Sequence, residues 1–197
     1  MKIGGILFDF GGVLVKGTLE AFFARVEPVV GIHIKQFDNT SMVPEFAKGL
    51  IDARTCFERL FQCKLSNNTF ERIIKVFSTN WQQDPKMFEL VYALKKQGFK
   101  LGVLSNSDPI NAPIFRAQGL YDPFDAVTLS HEVGFVKPEP EIYEIAVKRL
   151  GTQKDNTLFI DDLSICIDGA RKVGILGIQF TGKQTLINNL ASYNILV

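Results

Sequence analysis

Short apolar runs alternate with amphipathic helical patterns along most of this chain, and that alternation constrains the fold more than any other feature. Residues 3–9 form the first run, which glycine ends; "FKLGVLSN" (99–106), "FDAVTLS" (124–130), "TLFIDD" (157–162) and "GILGIQF" (174–180) read the same way. Runs this short and this apolar predict strands buried on both faces. Between them, residues 86–97 set Met87, Leu90, Val91 and Leu94 on one helical face ahead of Gly98. Residues 140–150 open with Pro140 and turn Ile142, Ile145, Ala146 and Leu150 inward, while 164–173 carry a looser stripe of Ile165, Ile167, Ala170 and Val173. Strands alternating with helices predict an α/β fold with a parallel sheet in three layers. Ligands of such sheets bind beyond the carboxyl ends of the strands.

Roughly ninety residues separate the first run from the second, far more than one crossover needs. Much of that stretch has helical patterning. Thr18 is placed to cap a helix carrying Leu19, Phe22, Phe23 and Val26, and Thr55 with Glu58 fits a capping box ahead of Phe57, Leu60 and Phe61. Phe70, Ile73, Ile74 and Phe77 form a further stripe. The expectation is a helical cap over residues 17–85, inserted into a core made of 1–16 and 86–197. Its hinges fall at 15–17 and 82–85. Composition narrows the partners. The 22 Lys and Arg against 21 Asp and Glu leave a net charge of +1, with no basic footprint for nucleic acid or a membrane surface. No apolar run approaches the roughly 20 residues that span a bilayer. The opening "MKIGGILFDF" meets Asp9 with no cleavage-type site behind it. Cys56, Cys63 and Cys166 are odd in number and lack metal-type spacing, which predicts reduced thiols in a cytoplasmic protein. A monomer or homodimer is expected.

The chemistry collects at the strand ends. Asp9 follows the first run, Ser105 and Asn106 the second, Lys137 and Pro138 come in the loop after the third, and Asp161 and Asp162 close the fourth. A parallel sheet brings these to one edge. A carboxylate, a hydroxyl, an ammonium and an acidic pair suit attack on a phosphoryl group, with Asp9 as the nucleophile forming an aspartyl-phosphate. Magnesium held by Asp9 and Asp162 would offset the repulsion between carboxylate and phosphate dianion. Ser105 and Lys137 would neutralise the equatorial oxygens, and Gly11 and Gly12 would let backbone N–H groups approach the phosphate.

"FDFGGVL", "LSNS", "SHEVGFVKPEPEIY" and "FIDD…GARKVG" resemble, in order, the four motifs of the haloacid-dehalogenase superfamily. The third is close to the phosphatase domain of soluble epoxide hydrolases and to sugar phosphatases of the glucose-1-phosphatase type. The resemblance covers 1–16 and 86–181, and more weakly the cap through "FAKGLIDARTCFERL". It implies a Rossmann-like core and a magnesium-dependent hydrolase of a small phosphorylated metabolite, such as a sugar phosphate. By similarity Asp9 is nucleophile and metal ligand. The residue-11 carbonyl and Asp162 complete the ligands, and Asp161 acts through water or by orienting Lys137. Ser105, Asn106, Lys137, Gly11 and Gly12 hold the phosphate. The chain departs from the pattern at Gly11, where most phosphatases of the superfamily carry an aspartate that protonates the leaving alcohol, help typically worth about 10²–10⁴ in rate. Dehalogenase and phosphonatase branches also lack that aspartate. Phosphonate cleavage needs a cap lysine, and Lys16, Lys35, Lys48 and Lys64 are available. A weakly active phosphate-binding module is a third reading.

Other polar or aromatic residues read as structural. His131 and Glu132 suit loop ordering, His33 lies on the cap surface, Trp81 suits packing between cap and core, and Cys166 is a small buried residue. His33 and Glu45 are the first cap candidates to supply a missing proton.

Overall fold

A computed structural model describes residues 2–17, 19–31 and 43–197. Among them a five-stranded sheet runs β5-β4-β1-β6-β7, with strands β1 (Gly5–Phe8), β4 (Lys100–Ser105), β5 (Ala126–Leu129), β6 (Thr157–Asp161) and β7 (Leu176–Gln179). All four strand pairs are parallel, as the apolar runs predict. Alternate side chains divide between two cores. Ile6, Phe8, Leu101, Val103, Leu158 and Ile160 face one side. There they meet Leu90, Val91 and Leu94 of α5 (Pro85–Lys96) and Leu186 and Leu190 of α10 (Lys183–Ala191). Leu7, Leu104 and Phe159 face the other, against α8 (Pro140–Leu150) and α9 (Ser164–Lys172). Burial of both faces is what makes the strands continuously apolar.

Between β1 and α5 the chain crosses a short antiparallel ladder, β2 (Val15–Lys16) against β3 (Gln82–Gln83). Within it lie α1 (Leu19–Val30), α2 (Pro44–Ala47), α3 (Ala53–Phe61) and α4 (Asn67–Ser78). These helices share their own core, built largely of Phe22, Phe46, Phe57 and Phe77. Rings of Phe22 and Phe77 stand 5.1 Å apart, those of Phe57 and Phe77 5.6 Å, both edge to face. Lys48 pairs with Glu139, and the Ser130 hydroxyl donates 2.6 Å to the Ala47 carbonyl, tying α2 to α7 (Ser130–Val133) and the start of α8.

Two local expectations change. The capping box at Thr55 is absent: Asp52 is the N-cap of α3, accepting from the Thr55 N–H at 2.7 Å, and Thr55 lies inside the helix. Glu58 instead accepts from the Leu65 N–H and pairs with Lys64. The N-cap of α9 is Leu163, with no side-chain bond. Ile165 points outward, 56% exposed, because it begins the helix ahead of the face that meets the sheet. Thr18 lies outside the described residues. Of the described helices, none is long and apolar enough to cross a membrane.

Candidate active site

The site starts where β1 stops. The Asp9 N–H still bonds the Ile160 carbonyl, but Phe10 turns out of the sheet and its carbonyl accepts from both Leu14 and Val15. The Gly12 N–H closes this loop onto the Val15 carbonyl at 3.0 Å. Gly12 has φ +80°, and a Cβ there would fall 2.4 Å from Asp162 Oδ2. Only glycine lets the loop come this close to the acidic pair. Gly11 differs. Its φ is ordinary, and the nearest atom to an added Cβ is Trp81 Cζ3 at 3.7 Å.

Lys137 binds this cluster together. Its Nζ lies 2.7 Å from Asp9 Oδ1 and 2.6 Å from Asp161 Oδ2, and all three residues are buried. Asn106 fixes the lysine from the neighbouring strand end: Oδ1 accepts from the Lys137 N–H at 2.7 Å and Nδ2 donates to its carbonyl at 3.1 Å. The Asn106 side chain is therefore engaged with Lys137 rather than turned toward an anion. Asp161 accepts from the Leu163 N–H with its second oxygen, so its carboxylate is held at both ends. Ser105, buried at the end of β4, donates 3.2 Å to the Asn106 carbonyl.

The electrostatics follow from burial. Desolvation pushes the Asp9 carboxyl up, to about 7; Asp161 and Asp162 add to this and Lys137 opposes it. Asp162 is raised by burial and then by Asp161. Burial by itself would lower the Lys137 pKa, but Asp161 and Asp9 outweigh it and keep the ammonium charged. Ligand oxygens of Asp9, Asp161 and Asp162 lie within 4.8 Å of one another. Three carboxylates against one ammonium leave a surplus of negative charge in a half-dry place, and oxygen-only donors suit a hard divalent cation. The residues present fit magnesium.

Other candidates lie apart from this cluster. His131 Nδ1 meets Ser107 Oγ at 2.7 Å, and Glu132 pairs with Arg116. Cys166 is buried, and burial pushes its thiol up to about 12, which disfavours the thiolate a nucleophile needs. Glu45 reaches Arg59 at 3.7 Å; Lys16, Lys48 and Lys64 pair with Asp84, Glu139 and Glu58. His33 and Lys35 lie outside the described residues. Trp81 packs partly buried against the sheet core. Sequence reasoning missed the Asn106 clamp on Lys137 and the approach of Trp81 to Gly11; both join distant stretches and leave no local signal.

A family model for haloacid dehalogenase-like hydrolases matches residues 3–174. A sesquiterpene phosphatase of Aspergillus oryzae is 27% identical over 185 residues, 89% of this chain and 88% of that one. A D-ribitol-5-phosphate phosphatase of Bacteroides thetaiotaomicron is 26% identical over 184 residues, covering 87% and 89%. Among solved structures, a Bacteroides thetaiotaomicron enzyme of the same family, in complex with magnesium and inorganic phosphate, superposes with a TM-score of 0.77 at 23% identity, covering 92% of this chain and 96% of that one. An L-2-haloacid dehalogenase from Xanthobacter autotrophicus gives 0.67 at 18% identity, covering 96% and 83%. These two likenesses speak to the fold.

Proposed function

The chain belongs to the haloacid dehalogenase-like hydrolases, and from that premise we propose that it is a magnesium-dependent phosphatase of a small phosphorylated metabolite. The observation that carries this reading is the buried Lys137 ammonium shared between Asp9 and Asp161 beside a third carboxylate, Asp162. That cluster supplies a nucleophile and charge balance for a phosphate dianion. The magnesium- and phosphate-bound state of the Bacteroides thetaiotaomicron enzyme, and the phosphatase names of the two relatives, support it.

An Asp9 carboxylate oxygen attacks phosphorus, the phosphorus–oxygen ester bond breaks, and the leaving group departs with that electron pair. The phosphoryl group then sits on Asp9 as an acyl phosphate, and water attacking phosphorus releases phosphate and frees the carboxylate. Lys137, held by Asn106 and Asp161, and Ser105 stabilise the charge on the equatorial oxygens. When bound by Asp9, Asp162 and the residue-11 carbonyl, magnesium supplies the positive charge that lets two anions meet. Gly12 admits the loop to Asp162. The helical unit over 17–85 serves as a cap, entered and left through the β2–β3 ladder. Gly11 supplies no acid, so the leaving oxygen departs with little protonation and good leaving groups are favoured.

The pairing of Lys16, Lys48 and Lys64 with carboxylates counts against a phosphonatase that uses one of them as a free amine. Gly11 favours one second reading, a phosphate-binding module that turns over poorly. A metal-dependent screen of phosphate monoesters, run beside halide-release and phosphonate-cleavage assays, separates these. Phosphate release that needs magnesium and Asp9 is the expected result. Halide release without metal would refute the reading.

A further inference from the structure

Trp81 stands at the point where the chain returns from the helical unit, directly before β3. Its benzo edge serves two glycines at once. A Cβ on Gly17 would fall 2.7 Å from Trp81 Cε3, and one on Gly11 would fall 3.7 Å from Cζ3. Gly11 neighbours Gly12, whose own Cβ direction runs into Asp162. A short chain of contacts therefore leads from the acidic cluster through residues 12 and 11 to the indole. The ring occupies the side-chain flank of residue 11, on the side where β2 and β3 lead into the helices. Among the described residues beyond its two chain neighbours, no other approaches that flank within 4 Å. The indole Nε1 is buried and finds no hydrogen-bond partner among the described residues.

Resting on the phosphatase reading above, we propose that Trp81 is a specificity-determining residue: it forms an apolar wall beside residue 11 and selects phosphate esters whose leaving group presents an aromatic or similarly flat apolar face. Two requirements converge on that class. A site without an acid at residue 11 favours leaving oxygens that tolerate negative charge, as phenolic ones do. An indole edge beside that oxygen rewards a ring and leaves a polar chain without hydrogen-bond partners. A sugar ring is the outcome the test distinguishes against, since its hydroxyls would face the same wall unpaired.

Trp81 is the chain's single tryptophan, so its emission reports on this position alone. The first measurement titrates wild-type protein with magnesium and benzylphosphonate, or with methylphosphonate; neither has an ester bond to cleave. The benzyl compound is expected to shift or quench the emission, and the methyl compound to leave it nearly unchanged. The second compares kcat/KM for 2-naphthyl and phenyl phosphate, whose leaving phenols have similar acidity. A naphthyl preference of about 2–12-fold is expected, equal to the ~0.5–1.5 kcal/mol typical of an aromatic pair. It should vanish in Trp81→Leu and persist in part in Trp81→Phe. Equal losses on both esters in Trp81→Leu, with the ratio kept, would assign Trp81 to structure only and overturn the proposal. An identical emission response to both phosphonates would do the same. If no ester is turned over yet benzylphosphonate alone moves the emission, the phosphatase reading fails and takes ester selection with it, leaving Trp81 only as a contact for aromatic ligands. Should Trp81→Leu not fold, Trp81→Phe and the wild-type titration still decide.

Discussion

Installing the missing acid tests the site most directly. Gly11→Asp places a carboxyl two residues beyond Asp9, and the structure gives the change room. The backbone at residue 11 is outside the left-handed region, and the new Cβ meets only Trp81 Cζ3, at an ordinary 3.7 Å. Replacing glycine where the backbone is compatible costs nothing and can add about 0.4–1 kcal/mol by restricting the unfolded chain. The new carboxyl joins Asp9, Asp161 and Asp162 around a single ammonium, and like charges raise its pKa, which favours the protonated form an acid needs. The expected gain is confined to poor leaving groups and reaches about 10²–10⁴ in kcat. The assay is a Brønsted plot of kcat/KM across aryl and alkyl phosphates. Wild type should show a steep fall as leaving-group pKa rises, and Gly11→Asp a flatter one. A shallow wild-type slope would refute the reasoning, since another residue would then be donating the proton. Glu45 and His33 would be the first to mutate.

Asp9→Asn should abolish turnover while the melting temperature stays close to wild type, because Lys137 keeps Asp161 as its partner; full activity in that variant would sink the covalent mechanism. Exhaustive EDTA treatment should remove phosphatase activity, and Asp162→Ala most of it, with magnesium restoring only the wild type; undiminished activity without metal would contradict the charge argument. Gly12→Ala should be the costliest small change in the loop. The positive φ alone costs about 1–2 kcal/mol, and a Cβ 2.4 Å from Asp162 Oδ2 must displace the Asp162 carboxylate, so both a melting-temperature drop of roughly 2–8 °C and, if Asp162 holds the metal, weaker magnesium binding by calorimetry are expected.

The strands were legible because each had to satisfy one condition, burial on both faces, and their residues advertise it. Which side each residue faces was not legible: Leu7 and Phe8 are equally apolar, and only the sheet sends one to each core. Helix starts were ambiguous where two capping residues stand close together. Asp52 and Thr55 both suit the position, and Asp52 wins because Thr55 supplies the N–H that it accepts. Helix α10 was missed: three bulky apolar residues in nine, Leu186, Ile187 and Leu190, give a weak stripe, and tertiary burial rather than periodicity holds it. Asp9, Lys137, Asp161 and Asp162 were legible as chemistry because each follows an apolar run. The Asn106 clamp was not, since its partner lies thirty-one residues on and the sequence records no pairing.

Two halves of the candidate site are built from different material. The half that would face the phosphoryl group comes from strand ends: Asp9, Ser105 and Asp161 stand on the sheet, and Lys137 is locked to it by Asn106. Those positions are over-determined, with a buried ammonium shared by two carboxylates, so the loss of one partner leaves the other in place. The half that would face the leaving group comes from Gly11 and the returning linker at Trp81, which approach each other at ordinary contact distance with the residue-11 backbone outside the left-handed region. If the phosphatase reading holds, a substitution of a side chain there is expected to alter which ester is accepted more than how phosphorus is attacked. Such a separation would let glycine stand at residue 11 while the rest of the cluster is intact. It also means that Gly11→Asp and Trp81→Leu should act non-additively on leaving-group selectivity, because they share one flank, and nearly additively with any change confined to the Lys137 side.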